Sequence, residues 1–219
     1  MEKIKTGILG FGRVAGNHLR NMRECGLYDV THVCDITESR REAAVAEGMV
    51  ATDDLDAFLE TDIDLVLITT HSSAHYADAM KVAMAKKHMI VEKPMALTGS
   101  EAEEMVDAAR DNVIALCVNH NRHYDVDYCR IKAAIQDGLI GRIVSIENRT
   151  LGARPAVGYG TKDYNQTWRI TAAEGGGTLL DFGPHWVEQV IDLMAGEKIV
   201  QIFADVRHVK WGDADDLFD

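Results

Sequence analysis

From the first residues to about Asn119, short continuous apolar runs alternate with stretches whose apolar positions recur at helical spacing. The runs at 4–9, 30–34, 65–69, 89–91 and 113–118 predict strands, and their lack of polar alternation predicts burial on both faces. Between them, 13–24, 38–47, 55–59, 74–86 and 100–110 predict helices. Parallel strands need crossover connections, and helices supply them. The alternation therefore implies an α/β fold, a doubly wound parallel sheet over residues 1–120.

Beyond that point the rhythm changes. Residues 127–136 predict a helix closed by Asp137-Gly138, where glycine can take the left-handed cap. Residues 143–149 alternate apolar and polar, as a strand with one wet face does. A long irregular segment, 152–177, is rich in Gly, Tyr and polar residues, and loops of that length are usually functional or mobile. A helix at 179–194 and a strand at 199–209 follow. So thin a layer buries little core by itself. Residues 121–219 are therefore expected to be a truncated piece of a larger domain, or one completed by strands from another chain.

Composition changes this picture little. The chain has 219 residues, 47% hydrophobic and 26% charged, which is ordinary globular composition. Its net charge of −12 repels phosphate backbones and anionic lipid heads, making nucleic acid and membrane surfaces poor partners. Cys25, Cys34, Cys117 and Cys129 are widely spaced and suggest no disulfide framework or zinc knuckle. There is no signal-peptide pattern at Met1-Glu2-Lys3-Ile4 and no apolar stretch near the roughly 18 residues of a membrane span, so a cytoplasmic protein is expected.

Candidate chemistry is more informative. Gly10-Phe11-Gly12-Arg13-Val14-Ala15 lies between the first strand and first helix. Gly10 permits the tight turn, Gly12 lets the backbone approach a pyrophosphate, and Ala15 allows close helix–strand packing. The helix start offers N–H groups to phosphate. Asp35 ends the second strand, where a carboxylate accepts both ribose hydroxyls of NAD and repels the 2′-phosphate of NADP. Arg40 and Arg41 lie close enough in sequence to keep NADP possible.

Glu92-Lys93-Pro94 follows the strand at 89–91, at the edge of the sheet where ligands bind. A lysine there can hold a ribose or substrate hydroxyl and stabilise a developing alkoxide. On residue types alone, a surface Glu-Lys pair before a turn proline is the stronger reading, and only the position at the strand end favours the chemical one. Asp181 and His185, entered through Gly175-Gly176-Gly177, share one face of a helix and suit removal of a hydroxyl proton. An ordinary polar pair on a surface helix would look the same, and Pro184 threatens to bend that helix. His71 with His75 and His120 with His123 have neither an H-E-x-x-H arrangement nor a third ligand at metal spacing, so no metal site is expected.

Taken together, GILGFGRVAGNH at 7–18, VCDITESRREAAVAEG at 33–48, HMIVEKPMALT at 88–98, VNHNRHYD at 118–125, GLIGRIVSIE at 138–147 and GGGTLLDFGPHWVEQ at 175–189 resemble the glucose-fructose oxidoreductase/inositol dehydrogenase (Gfo/Idh/MocA) family. The resemblance implies a Rossmann domain and an NAD(P)-dependent dehydrogenase acting on the CH–OH groups of sugars, cyclitols or polyols. Lys93 would then be the catalytic lysine, followed by a proline commonly in a cis bond. His185 would be the base and Asp181 the carboxylate that orients substrate and tunes it. Gly10, Phe11, Gly12, Arg13, Val14, Asp35, Thr70, His71, His75, Glu92 and Lys93 match cofactor-contact positions, and Trp168-Arg169 matches a pair near the nicotinamide. The family's second domain is an α+β unit whose open sheet packs against another subunit, which implies a truncated α+β domain over 121–219 and a homo-oligomer if that domain is complete.

The chain also departs from the family. Asn121-Arg122-His123-Tyr124-Asp125-Val126 stands where relatives commonly read N-R-R-F-D-P, which puts an anionic-substrate contact in doubt, and Glu188 replaces a frequent Asp. Two alternatives remain: a glycosidase that oxidises its substrate transiently on retained NAD, and a non-catalytic NAD-binding regulator.

Overall fold

The computed structural model describes residues 2–149, 167–194, 196–208 and 217–218, and the chain divides into two compact units, Met1–Asn119 and His120–Asp219.

The first unit is a six-stranded sheet built from β1 (Ile4–Leu9), β2 (Tyr28–Cys34), β3 (Val50–Thr52), β4 (Leu65–Ile68), β5 (His88–Glu92) and β6 (Leu116–Asn119). All neighbours are parallel, in the order β3-β2-β1-β4-β5-β6. The helices are α1 (Arg13–Cys25), α2 (Glu38–Ala46), α3 (Leu55–Leu59), α4 (His75–Met84) and α5 (Gly99–Asp111). Successive strand residues point to opposite faces, so the continuous apolar runs feed two cores at once. Ile8, Val33 and Leu67 pack with Ala15, Leu19 and Met22 of α1 and Ala44 of α2 on one face. Leu9, Val66, Ile68 and Val91 pack with Phe58, Ala79, Val82 and Met105 on the other. Burying Ile8, Ile68 and Phe58, each at most 1% exposed, removes roughly 1.5–3 kcal/mol of apolar hydration per side chain.

Local signals set the ends. Asp54 caps α3 by accepting from the Asp56 and Ala57 N–H groups, and Thr98 and Glu101 form a capping box on α5. The last strand begins later than its apolar run. Val113 takes a left-handed φ of 56° in the turn that closes α5, so pairing starts only at Leu116. The short β3 was not anticipated, because three residues carry no period.

The second unit contains α6 (Val126–Gln136), α7 (Thr178–Leu193) and an antiparallel pair of β7 (Val206–Arg207) with β8 (Leu217–Phe218). Here two expectations need correction. Residues 143–149 form no strand, and the strand expected at 199–209 is reduced to β7. Alternating sequence makes a strand only when a neighbour takes its backbone hydrogen bonds, and among the described residues 143–149 have none. Most of the irregular segment at 152–177 lies outside the described residues; 167–170 and 172–174 within it form short 3-10 turns. The helix expected at 179–194 runs unbroken through Pro184, whose missing N–H withholds one helical donor, the one the Leu180 carbonyl would take. Among the described residues no helix is long and apolar enough to cross a membrane.

Candidate active site

The strand order reverses between β1 and β4, and the carboxyl ends of both strands flank the glycine turn. Gly10 has φ 86°, and a Cβ there would stand 2.9 Å from the Thr70 nitrogen and 3.0 Å from the Thr69 carbonyl. Only glycine lets the loop lie that tightly against the end of β4. Its N–H donates to the Cys34 carbonyl at 2.8 Å, and the Thr69 hydroxyl donates to its carbonyl oxygen. Gly12 is different: a Cβ would meet nothing nearer than an Arg40 nitrogen at 4.0 Å, so its outer side is open. Gly12 is also the N-cap of α1, with no side-chain cap and no acidic residue in the first turn. Ala15 is fully buried behind it, while Arg13 is exposed and Phe11 and Val14 are half-buried.

Asp35 is 5% exposed. Its carboxylate accepts the Phe11 N–H at 2.6 Å and the Thr37 N–H at 2.8 Å, which joins the glycine loop to the end of β2. Arg40 stands 3.6 Å from the same carboxylate, and Arg41 donates to the Asp35 carbonyl at 2.8 Å. Two backbone donors leave carboxylate lone pairs in hand for ribose hydroxyls. An open glycine loop, an uncapped helix start and an oriented acid suit a dinucleotide, so these residues fit NAD.

At the ends of β4 and β5, Thr70 donates its hydroxyl to Asp78 at 2.7 Å, and His71 lies exposed at the start of the following turn. His75, 1% exposed, reaches the Pro94 carbonyl through Nδ1 at 2.7 Å and the Thr70 carbonyl through Nε2 at 3.2 Å. Burial pushes its pKa down despite these contacts. His75 therefore joins the loop after β4 to the turn after β5. Lys93 is half-buried at the carboxyl end of β5, and the Lys93–Pro94 bond is cis. Glu92 accepts from His18 at 2.6 Å and Asn119 at 2.7 Å through one oxygen. Burial pushes the Glu92 pKa up, but His18, Asn119 and the charge of Lys93 outweigh it and hold the carboxyl below its ordinary range.

In the second unit the glycine triplet has a physical reason. A Cβ on Gly176 would stand 2.6 Å from the Arg169 carbonyl carbon and 2.7 Å from its oxygen, and closer still to the Trp168 oxygen. Backbone therefore packs on backbone, and the Gly177 N–H donates to the Arg169 carbonyl at 2.8 Å. That contact carries Arg169 to Asp181, where Nη1 meets Oδ2 at 2.6 Å, while its guanidinium lies 4.5 Å from the Trp168 ring centre. Asp181 and His185 are 7% and 6% exposed on one face of α7. One turn further along, Glu188 meets His123 at 2.8 Å, and then Asp192 meets Lys132 at 2.6 Å and Tyr128.

Within the first unit, then, Gly10, Phe11 and Asp35 come together, as do Thr70, His75 and the Lys93-Pro94 turn. Within the second, Trp168, Arg169 and Asp181 come together, with His185 one turn along α7. Among the described residues no group of three or more His, Cys, Asp or Glu is placed to hold a metal ion. Sequence reasoning missed His18 and Asn119. For His18 a signal was present: it lies on the Ala15–Leu19–Met22 stripe of α1, a polar residue on a buried face. It also treated His123 and Glu188 as separate departures, whereas they pair with each other.

Comparison with known proteins agrees with this geometry. Residues 4–120 match the family model described as "Oxidoreductase family, NAD-binding Rossmann fold", and residues 128–219 match the GFO/IDH/MocA C-terminal domain. The chain is 30% identical over 204 residues to a scyllo-inositol 2-dehydrogenase (NADP(+)) of Bacillus subtilis, covering 91% of this chain and 54% of that one. It is 29% identical over 164 residues to an inositol 2-dehydrogenase of Salmonella typhimurium, covering 72% and 49%. It thus spans about half the length of the curated relatives it matches. An NAD-binding protein from Listeria innocua superposes with a TM-score of 0.89 at 28% identity, covering 99% of this chain and 62% of the other. The WlbA dehydrogenase of Bordetella pertussis, solved with NADH and UDP-GlcNAcA, gives 0.84 at 25% identity, covering 99% and 66%. A glycine loop tied to Asp35, a lysine at the end of β5 and two matching domain models in order place this chain in the GFO/IDH/MocA oxidoreductase family, with an NAD-binding Rossmann fold as its first unit.

Proposed function

We propose that this chain serves an NAD(P)-dependent dehydrogenase that moves a hydride between the nicotinamide and a secondary alcohol of a sugar, cyclitol or related polyol. The observation that carries the reading is Lys93 at the carboxyl end of β5, on the same sheet edge as the glycine loop and Asp35. Bound NAD supplies the hydride acceptor. The glycine loop and the start of α1 hold its pyrophosphate, and Asp35 accepts from its ribose hydroxyls. Lys93 hydrogen-bonds the substrate oxygen and stabilises its developing negative charge. His185 takes the hydroxyl proton, and Asp181, held by Arg169, accepts from a neighbouring substrate hydroxyl. Inositol dehydrogenase relatives support a polyol substrate, and the acid at Asp35 favours NAD over NADP. The C-terminal unit is proposed to assemble with further copies through its sheet.

The test is NADH absorbance with a polyol panel. His185→Ala should lower kcat by about 10² or more, the low end for general-base catalysis. Undiminished turnover would remove His185 as the base. NAD binding without turnover on any polyol would overturn the reading.

A further inference from the structure

Three side chains from three elements meet next to Lys93 in the chain, at Glu92. His18 comes from α1, Glu92 is the last residue of β5, and Asn119 is the last residue of β6. His18 Nε2 and Asn119 Nδ2 both reach Glu92 Oε1, at 2.6 and 2.7 Å. At 2.6 Å the imidazole proton must lie between ring and carboxylate, so Nε2 donates. The other oxygen, Oε2, accepts the Lys93 backbone N–H at 3.3 Å. His18 and Glu92 side chains are only 19% and 14% exposed. Two converging donors on one oxygen, with the second oxygen on the backbone of the next residue, leave the carboxylate one orientation.

We propose that His18 and Asn119 are positioning residues for Lys93, acting through Glu92. This rests on the reading of Lys93 as the group that holds the reacting oxygen. The carboxylate is kept ionised in a site where burial alone would favour its protonated form. Its charge acts on the adjacent ammonium, and its fixed orientation sets the backbone from which the lysine side chain departs. Because His18 stands on the helix whose N-terminus forms the glycine loop, the network also ties that loop to the lysine. An anchoring role alone, fastening α1 to the sheet, would need only packing. The convergence on one carboxylate oxygen is what distinguishes positioning.

The experiment uses the whole chain labelled with ¹³C at the glutamate carboxyls, with Glu92 assigned by the signal lost in Glu92→Gln. Its titration midpoint is read alongside the rate at which an amine-acetylating reagent modifies Lys93, measured by mass spectrometry relative to Lys87. His18→Leu is expected to raise the Glu92 midpoint and, by freeing the carboxylate from its one orientation, to change the Lys93 modification rate by at least about threefold, the scale of one partly exposed ion pair. His18→Gln, whose amide can still donate, is expected to restore both. A raised midpoint with an unchanged Lys93 rate would show anchoring alone and overturn the proposal, as would no change in either. Should His18→Leu fail to fold, Asn119→Leu removes the other donor and is judged by the same two readouts. Neither readout needs turnover, so a chain without dehydrogenase activity still tests the network.

Discussion

Gly176→Ala is the sharpest perturbation available, because the atoms it meets are backbone. The added Cβ would lie 2.6 Å from the Arg169 carbonyl carbon and closer still to the Trp168 oxygen, and ordinary contact begins at 3.4 Å, so the Trp168-Arg169 turn must retreat by at least 3.4 − 2.6 = 0.8 Å. That displacement breaks two hydrogen bonds, Gly177 N–H to Arg169 at 2.8 Å and Gly176 N–H to Thr171 at 3.0 Å. Overpacking of this kind costs about 1–3 kcal/mol and each lost bond about 0.5–1.5 kcal/mol, so about 2–4 kcal/mol is expected after partial relaxation. It also separates Arg169 from the buried Asp181, which leaves a carboxylate without its guanidinium. Urea unfolding followed by tryptophan fluorescence measures the change, since Trp168 and Trp186 both lie in the second unit. Gly16→Ala is the control, followed by far-UV circular dichroism because the three tryptophans all lie beyond the first unit. A Cβ there meets nothing within 4 Å, and alanine inside α1 should stabilise by about 1 kcal/mol. If Gly176→Ala unfolds within about 0.5 kcal/mol of the unchanged chain, the range of an inconsequential surface substitution, the reasoning about the glycine triplet is wrong.

Asp35→Ala should weaken NAD binding about tenfold, the worth of one charge-assisted hydrogen bond, and move preference toward NADP by releasing Arg40; calorimetry giving an unchanged NAD/NADP ratio would refute it. Acid should destabilise the chain in two stages. The folded pKa of His75 lies below its ordinary 6.5, so its contribution is complete above that value and is lost as pH falls, because the unfolded chain binds a proton that the folded chain refuses. Glu92, also held low, contributes above about 4.5 and is lost as pH falls further. His75→Gln should flatten the decline of the urea midpoint between pH 7 and 5; an unaltered slope would mean that His75 does not set it.

What the sequence by itself determined was everything governed by nearest neighbours along the chain. Continuous apolar runs at 65–69 and 89–91 declared strands buried on both faces, and the Gly10–Gly12 spacing after such a run declared a tight glycine turn opening a helix. The apolar spacing over 13–24 declared the first helix. These features are local in their physics: side-chain period, backbone freedom and helix starts are properties of a few consecutive residues. What only the tertiary structure decided was which distant residues meet. His18 with Glu92 and Asn119, Arg169 with Asp181, and His123 with Glu188 are each separated by a dozen residues or more, and a hydrogen bond is specified by distance in space. The same reason explains the correction at 143–149. An alternating pattern states which face of a strand would be wet, but a strand exists only once another strand accepts its backbone hydrogen bonds, and that partner is never written in the segment itself.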